Sequence, residues 1–163
     1  MWDYDGLIRK LNSDEFVNAI LLTHCHQDHI LELSKLLSLY PNIKIFCSQS
    51  TFEGLKNEEQ NMSYILPEYP FQFTNYENVN VIEPGKNIID GLEVEVLSTH
   101  GHSEDYMTCI IKKCIFTGDS YIPFSKVFAK WPRSNKMLAK ENENKLISLI
   151  KERNLIMFPG HWE

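Results

Sequence analysis

Apolar positions along the chain change their spacing near residue 28, and this change predicts a strand followed by a helix. Val17 and then residues 19–22 form a near-continuous apolar run, which predicts a buried strand over residues 16–23. From Asp28 onward the apolar residues recur every three or four positions, which predicts a helix that ends before Pro41.

The rest of the chain alternates in the same way between short apolar runs and helical spacing. Turn residues at Pro84-Gly85 and Asp90-Gly91 separate some of the runs, and Lys112-Lys113 is expected to join two strands as a hairpin. Residues 58–78 show no clear period. Alternation of this kind predicts an α/β fold or a layered sandwich, in a single domain over residues 1–163. The other predicted strands cover 43–47, 79–82, 92–97, 106–111, 114–117 and 155–158, and the other predicted helices cover 3–11, 49–56 and 135–153.

Composition narrows the functional classes. A chain of 163 residues with 43% hydrophobic residues can bury one sizeable core. Its net charge of −6 argues against a large nucleic-acid surface, which is usually basic. The chain has no apolar run long enough to span a membrane and no signal peptide at its start. Its four cysteines have no framework spacing, so free thiols and a cytoplasmic location are expected.

Three of the six histidines fall within His24-Cys25-His26-Gln27-Asp28-His29. In an extended segment residues i and i+2 point the same way, so His24 and His26 can reach one metal ion together. Asp28 and His29 follow where the chain turns into a helix, and they are expected to point to a second position. Imidazole and carboxylate ligands without thiolate suit Zn²⁺, and also Fe or Mn.

The remaining histidines and one further aspartate also follow predicted strands. His100 and His102 come after the strand over 92–97, Asp119 follows the strand over 114–117, and His161 follows the last strand. Loops at strand ends are where sites collect in α/β proteins. The pattern therefore predicts that distant parts of the chain meet at one metal site.

These residues carry a resemblance to the metallo-β-lactamase superfamily. The H-x-H-x-D-H motif of that family stands at residues 24–29, and its F-[TS]-G-D-[ST] motif resembles Phe116-Thr117-Gly118-Asp119-Ser120. Its T-P-G-H-[ST] motif resembles residues 99–103, with His100 where proline is usual, and its closing P-G-H matches residues 159–161. The four motifs occur in the order that is typical of the family.

The resemblance implies a dinuclear zinc site in which two Zn²⁺ ions per chain hold a bridging hydroxide, oriented by Asp28 and Asp119 as catalytic residues. Fe or Mn are alternatives, and His100 is not counted as a ligand. The implied first site consists of His24, His26 and His102, the implied second site of Asp28, His29 and His161, and Asp119 is implied to bridge the two.

The family fold is an αββα sandwich whose first motif normally follows several strands, whereas only some 23 residues precede His24. The N-terminal strands are therefore expected to be missing or shortened. Loss of edge strands exposes unpaired backbone, so the gap is expected to be filled either by a partner copy, which would make the protein a homo-oligomer, or by an altered sheet.

The resemblance implies a hydrolase that cleaves an ester, thioester, lactone or amide-type bond of a small molecule. Gly118-Asp119-Ser120 resembles the small hydrolase branch of the family, which includes glyoxalase II-like thioesterases and lactonases. The absence of a glutathione-binding tail after His161 weakens a full glyoxalase II assignment, and the absence of a nuclease-type insertion between Asp119 and His161 disfavours a nuclease. One alternative is a mononuclear iron enzyme of the sulfur-dioxygenase kind, which would use the positions of His24, His26, His102 and Asp119. The other alternative is a metal-binding fragment without activity.

Several neighbouring residues admit two interpretations. The basic residues Lys126, Lys130 and Arg133 either meet an anionic substrate or belong to a solvated loop. Trp131 and Trp162 are interpreted either as a wall of the site or as anchors, and Cys25 as a packing residue. The aromatic residues of the long connection form either a flap over the metals or ordinary core cover; they are Tyr64, Tyr69, Phe71, Phe73 and Tyr76.

Overall fold

The computed structural model describes Gly6, Lys10 and residues 15–65, 71–104, 106–131 and 133–161. Most of the predicted helix over 3–11, together with Tyr69 and Trp162, lies outside the described residues.

The first half of the chain forms a parallel sheet of three strands in the order β1-β2-β3. Ala19 and Leu21 of β1 face the second sheet, whereas Ile20 faces the helices on the other side. This alternation follows from the period of two along a strand, and it explains why the apolar run is continuous: β1 is covered on both faces. The strands are β1 (Ala19–Leu21), β2 (Lys44–Cys47) and β3 (Val79–Val81).

The second half forms a five-stranded sheet in the order β4-β5-β6-β7-β8, which is antiparallel except for the parallel pair β7-β8. The parallel pair arises because the longest helix of the described residues returns the chain from β7 to β8. The strands are β4 (Gly85–Ile89), β5 (Leu92–Ser98), β6 (Met107–Ile111), β7 (Cys114–Gly118) and β8 (Ile156–Pro159).

Helices lie mainly in the first half, and the long helix α5 belongs to the second. The Asn135 side chain accepts hydrogen bonds from the backbone N–H groups of Met137 and Leu138 and so begins α5. The helices are α1 (Gln27–Ile30), α2 (Leu33–Leu39), α3 (Gln49–Gly54), α4 (Glu58–Asn61) and α5 (Lys136–Arg153), with 3₁₀ turns at Ser63–Ile65 and Tyr76–Asn78.

Three hydrophobic clusters separate four layers. In the first, residues of α2 such as Leu33 and Leu37 pack on β2. In the second, Val94, Val96 and Met107 of the larger sheet pack on the inner face of the first sheet. In the third, Leu146 of α5 and its neighbours pack on the outer face of the larger sheet. The order helix, sheet, sheet, helix agrees with the predicted αββα sandwich.

Two features differ from the sequence prediction. The helix predicted from Asp28 to residue 40 is interrupted at Leu31-Glu32, so that α1 and α2 are separate. Strand β4 was not predicted, because Gly85, Lys86 and Asn87 resemble a turn more than a strand. Pairing with β5 nevertheless makes it a strand, and the hairpin between them turns at Asp90-Gly91, where both residues have positive φ angles of 49° and 78°.

A cavity of about 480 Å³ lies along β1, lined by Leu33 and Leu36 of the helix layer as well as by Cys109 and Ile111 of the larger sheet. It runs along consecutive residues of β1, whose side chains alternate between the two faces, so it follows the outer edge of that strand. Phe116 and Phe158 line its far side, with their rings stacked 5.2 Å apart, and His24 and His29 line one end. No strand among the described residues pairs with this edge of β1.

No helix in the described part of the chain has the length and apolar character needed to cross a bilayer.

Candidate metal centre

The His24–His29 segment lies where β1 ends and α1 begins. His26 is still extended, with φ −60° and ψ 143°. The backbone N–H of His29 donates to the carbonyl oxygen of His26 at 2.9 Å. The turn between His26 and His29 directs Asp28 away from His26, but the His29 ring stays 4.3 Å from the His24 ring, so the separation that the spacing predicted does not extend to His29.

The second half of the chain brings three further side chains to the same place. His102 follows β5, Asp119 follows β7, and His161 follows β8. All three come from the ends of strands that lie next to the end of β1. The sequence expectation that distant segments meet here is therefore confirmed as geometry, although their binding of a metal ion stays a prediction.

The first group of potential ligands is buried. His102 Nε2 lies 3.0 Å from His26 Nδ1, and the ring centroids of His24 and His26 are 4.5 Å apart. One nitrogen from each ring lies within 4.8 Å of the others, which suits a single ion.

The second group lies nearer the surface. His29 Nε2 is 3.2 Å from His161 Nε2, and His161 Nε2 is 3.3 Å from Asp28 Oδ2. Asp28 and His161 keep 49% and 39% of their side-chain surface exposed, so this group is more accessible than the first.

Asp119 lies between the two groups. Oδ2 is the oxygen nearest to both His102 and His161, whereas Oδ1 lies nearest to His29. This is the arrangement expected of a bridging carboxylate. The distances to the three Nε2 atoms are 3.6 Å for His102, 3.4 Å for His161 and 3.5 Å for His29.

Burial controls the charge of the imidazoles. It lowers the pKa of His24 well below 6.5, and it lowers that of His26 to about 4, with the neighbouring histidines adding to the effect on His24. The pKa of His102 is also lowered by burial. These rings are therefore neutral at pH 7, which is the form that binds a metal ion.

Asp119 and His29 stabilise each other's charge. Burial alone would raise the pKa of Asp119, but the hydrogen bond and charge of His29, together with His102 and His161, outweigh it and hold the pKa below its ordinary value. Burial would likewise lower the pKa of His29, but Asp119 and Asp28 outweigh it and raise the pKa. The carboxylate therefore stays ionised as a ligand.

Two buried atoms show that the residues fit a cation. Among the described residues His24 Nε2 has no hydrogen-bond partner, and Asp119 Oδ1 has only the long 3.5 Å contact with His29 Nε2, although both atoms are shielded from water. Orphaned acceptors of this kind are costly unless something else satisfies them. Gly160 leaves room for the carboxylate, since a Cβ at that position would lie 2.3 Å from Asp119 Oδ1. The donor set is the nitrogen and oxygen set that zinc, iron or manganese accept.

Sequence reasoning did not identify the groups that hold these ligands. His102 Nδ1 lies 2.6 Å from the carbonyl oxygen of Phe128, which orients the ring. Tyr106, which the sequence assigned only to the start of a strand, is buried beneath the site and stacks on His24 at 4.5 Å. Neither contact has a local sequence signal, because each depends on tertiary folding.

The structure shows the surroundings of the residues for which the sequence admitted two interpretations. Arg133 lines a small pocket beside His26, but its Nε donates to Glu104 Oε2 at 2.9 Å. Lys126 lies on the loop between β7 and α5, and the ammonium of Lys130 lies 5.9 Å from the Phe128 ring centroid. Trp131 also packs near Phe128, with ring centroids 5.3 Å apart.

The aromatic residues of the long connection mostly serve the core. Phe73 is buried, and Phe71 and Tyr76 pack against the same cluster, whereas Tyr64 is exposed at the pocket beside His26. Cys25 is buried, and a Cβ at position 54 would lie 2.2 Å from its sulfur, which agrees with a packing role. His24, His29 and Asp119 form a third set whose ligand atoms lie within 4.8 Å of one another, and His100 belongs to none of the three sets.

Known proteins share both this sequence pattern and this fold. The sequence profile of the metallo-beta-lactamase superfamily matches residues 6–161. A hydroxyacylglutathione hydrolase of Buchnera aphidicola is 27% identical over 119 residues, which cover 71% of this chain and 38% of the relative. The chain thus spans little more than a third of that curated relative.

Solved structures agree with the fold. The BLEG-1 B3 metallo-beta-lactamase matches with a TM-score of 0.82 and 22% identity over 99% of this chain and 78% of the other. The di-iron-bound form of TTHA1623 matches with a TM-score of 0.75 and 20% identity over 97% and 75%. The profile match over nearly the whole sequence, together with the αββα fold, establishes that this chain belongs to the metallo-β-lactamase superfamily.

Proposed function

We propose that this chain is a dinuclear metal-dependent hydrolase that cleaves an ester, thioester, lactone or amide-type bond of a small molecule. One observation carries the proposal: seven nitrogen and oxygen ligands from four strand ends converge on two adjacent positions, with Asp119 between them. Two divalent ions, when bound there, supply Lewis acidity and an activated water near neutral pH.

The chain's own residues have distinct roles in this proposal. His24, His26 and His102 hold the buried position, and Asp28, His29 and His161 hold the accessible one. Asp119 orients the attacking water as well as bridging the positions. The exposed side of the Asp28–His161 pair leaves room for a substrate to approach.

The relatives of this chain suggest which bond to test first. The pocket beside His26, lined among others by Glu59, Tyr64, Ser103 and Arg133, is only about 30 Å³, which is too small for a substrate. The Buchnera relative is named for an acylglutathione substrate, whose acyl group is held as a thioester, so thioesters stand first among the bonds to test. The net charge of −6 supports a protein that does not bind nucleic acid. The described residues contain no disulfide, so all four cysteines remain thiols, which supports the predicted cytoplasmic location.

A mononuclear iron enzyme of the sulfur-dioxygenase kind is the second candidate. The observation that favours it is the unequal burial of the two groups: the His24, His26 and His102 group is buried, whereas Asp28 is about half exposed. An unequal pair of positions can fill with one ion only. Metal count and metal identity therefore separate the two candidates.

The test combines metal analysis with a substrate panel. We expect about two zinc ions per chain by mass spectrometry and hydrolysis of at least one thioester, lactone or β-lactam. Asp119→Asn should lower kcat/KM by more than about 100-fold, because loss of groups that merely support metal ligands already costs 10–100-fold. His100→Gln is the matched control and should retain activity.

The opposite outcomes are equally specific. One iron per chain with persulfide-dependent oxygen uptake would replace the hydrolase by the iron oxygenase. Full metal loading without turnover of any substrate would identify a metal-binding protein without activity.

A further inference from the structure

Tyr106 lies at the centre of the site without being a potential ligand. Its side chain is only 1% exposed, and its ring stacks on His24 with an interplanar angle of 29°. The edge of the same ring meets His102, with centroids 5.7 Å apart. Tyr106 therefore packs against two of the three imidazoles in the buried group.

The hydroxyl of Tyr106 joins the two halves of the site. The backbone N–H of Asp119 donates to Oη. The hydroxyl of Thr23 lies beside position 118 together with Oη and donates to it. Thr23 Oγ1 in turn lies 3.1 Å from His24 Nδ1. The hydrogen-bonded chain thus begins at the backbone of the central carboxylate and ends on a ring of the buried group.

The direction of these bonds follows from the donors available. Oη accepts from the Asp119 amide and also from the hydroxyl of Thr23. Because Thr23 has one proton and uses it there, its Oγ1 can only accept from His24, so Nδ1 carries the ring proton. His24 Nε2 is then left with its lone pair, and this is the buried atom without a partner among the described residues.

We infer that Tyr106 is a positioning residue, which through Thr23 holds His24 in the tautomer that ligates by Nε2 and at the same time fixes the backbone of Asp119. The role in metal binding rests on the proposed function, but the tautomer does not. An orienting bond to the non-ligating nitrogen is how proteins commonly fix a histidine ligand.

Gly118 provides the space that this chain of bonds requires. A Cβ at position 118 would lie 2.1 Å from Tyr106 Oη and 2.7 Å from Thr23 Oγ1. The φ angle of Gly118 is also positive, at 48°. The glycine before Asp119 is therefore required both by its backbone conformation and by the tyrosine hydroxyl.

The test uses variants that remove single hydroxyls. Tyr106→Phe and Thr23→Val should each shift His24 from the Nδ1–H tautomer to a mixture, as seen by nitrogen NMR of the metal-free protein at pH 7.5. Each variant should also weaken zinc binding by roughly 10–100-fold in a chelator competition and change the absorption spectrum of the cobalt-substituted protein. The double variant should lose little more than either single variant, because both break the same chain.

Tyr40→Phe is the control, because Tyr40 packs in the first hydrophobic cluster. It should leave the tautomer, the zinc affinity and the cobalt spectrum unchanged. If Tyr106→Phe fails to fold, Thr23→Val carries the test by the same measurements.

The inference is overturned if both variants keep the Nδ1–H tautomer, or if their zinc affinity and cobalt spectrum stay within twofold of the parent. A loss of thermal stability alone would likewise overturn it, since that would show a packing role only. A different outcome is that the parent protein turns over no substrate while the variants still weaken zinc binding as expected. That result would contradict the proposed hydrolase and leave the inference standing.

Discussion

At the scale of single residues, the centre is a set of imidazoles kept neutral by burial around one ionised carboxylate. His24 and His26 cannot take up protons in the folded protein at pH values where free histidine does. Asp119 is held ionised by the histidines around it. A metal-free chain therefore carries a site whose stability depends on pH.

We predict that the metal-free protein loses stability as the pH falls from about 6.5 towards 4. In that range the unfolded histidines bind protons, whereas His26 does so only near its folded pKa of about 4 and His24 is lowered further by burial. The unfolded state then binds more protons, so acid lowers the free energy of unfolding. His29 acts in the opposite sense, because its raised pKa stabilises the protein below pH 6.5 and this contribution is lost as the pH rises through the folded pKa.

Urea unfolding midpoints in the presence of a chelator provide the measurement, with pH 5 and pH 7 compared. His26→Asn should flatten the dependence, and His100→Gln should not. Equal midpoints at both pH values would contradict the prediction.

The residues that meet at the centre could be identified from the sequence because each one belongs to a short motif with a chemical reason for its spacing. Tyr106, Thr23 and the Phe128 carbonyl could not, since their contribution depends on contacts formed only after folding. A tyrosine at the start of a strand looks the same in sequence whether or not its hydroxyl reaches a ligand.

At the scale of elements, the residues of the site lie at the ends of strands, and α5 packs on the outer face of the larger sheet. Strands with a strong apolar run, such as β1 and β6, could be predicted. Strand β4 could not, because backbone pairing with β5 rather than apolar content makes it a strand. The break between α1 and α2 could not be predicted from the sequence either, since the helical spacing of apolar residues continues across it.

We predict that Asn135→Ala lowers the free energy of unfolding by about 1 kcal/mol. The Asn135 side chain accepts from two N–H groups at 3.0 and 3.1 Å, and alanine would leave both without this partner. Asn135→Asp keeps the acceptor and should be nearly neutral. Denaturant unfolding measures both changes, and equal stability of the alanine variant and the parent would show that the cap contributes nothing.

At the scale of the whole molecule, four layers enclose three clusters, and among the described residues one edge of the first sheet has no neighbouring strand. The cavity along this outer edge of β1 is lined by the stacked Phe116 and Phe158 rings. The N-terminal shortening stays a prediction. The single domain over residues 1–163 and the homo-oligomer stay predictions.

We predict that the protein self-associates in a concentration-dependent manner. An uncharged edge strand and exposed aromatic rings are the features that promote pairing between chains. Phe158→Lys should reduce the association seen by sedimentation velocity. Phe124→Lys should not, although Phe124 is fully exposed, because it lies outside the cavity lining. A monodisperse monomer at all concentrations would contradict the prediction.

The meeting of chain segments at the centre also has a kinetic consequence. His29 and His161 are 132 positions apart, yet their Nε2 atoms lie 3.2 Å from each other. If an ion binds there, both residues can hold it only after the last strand has docked, so loading would come late in folding.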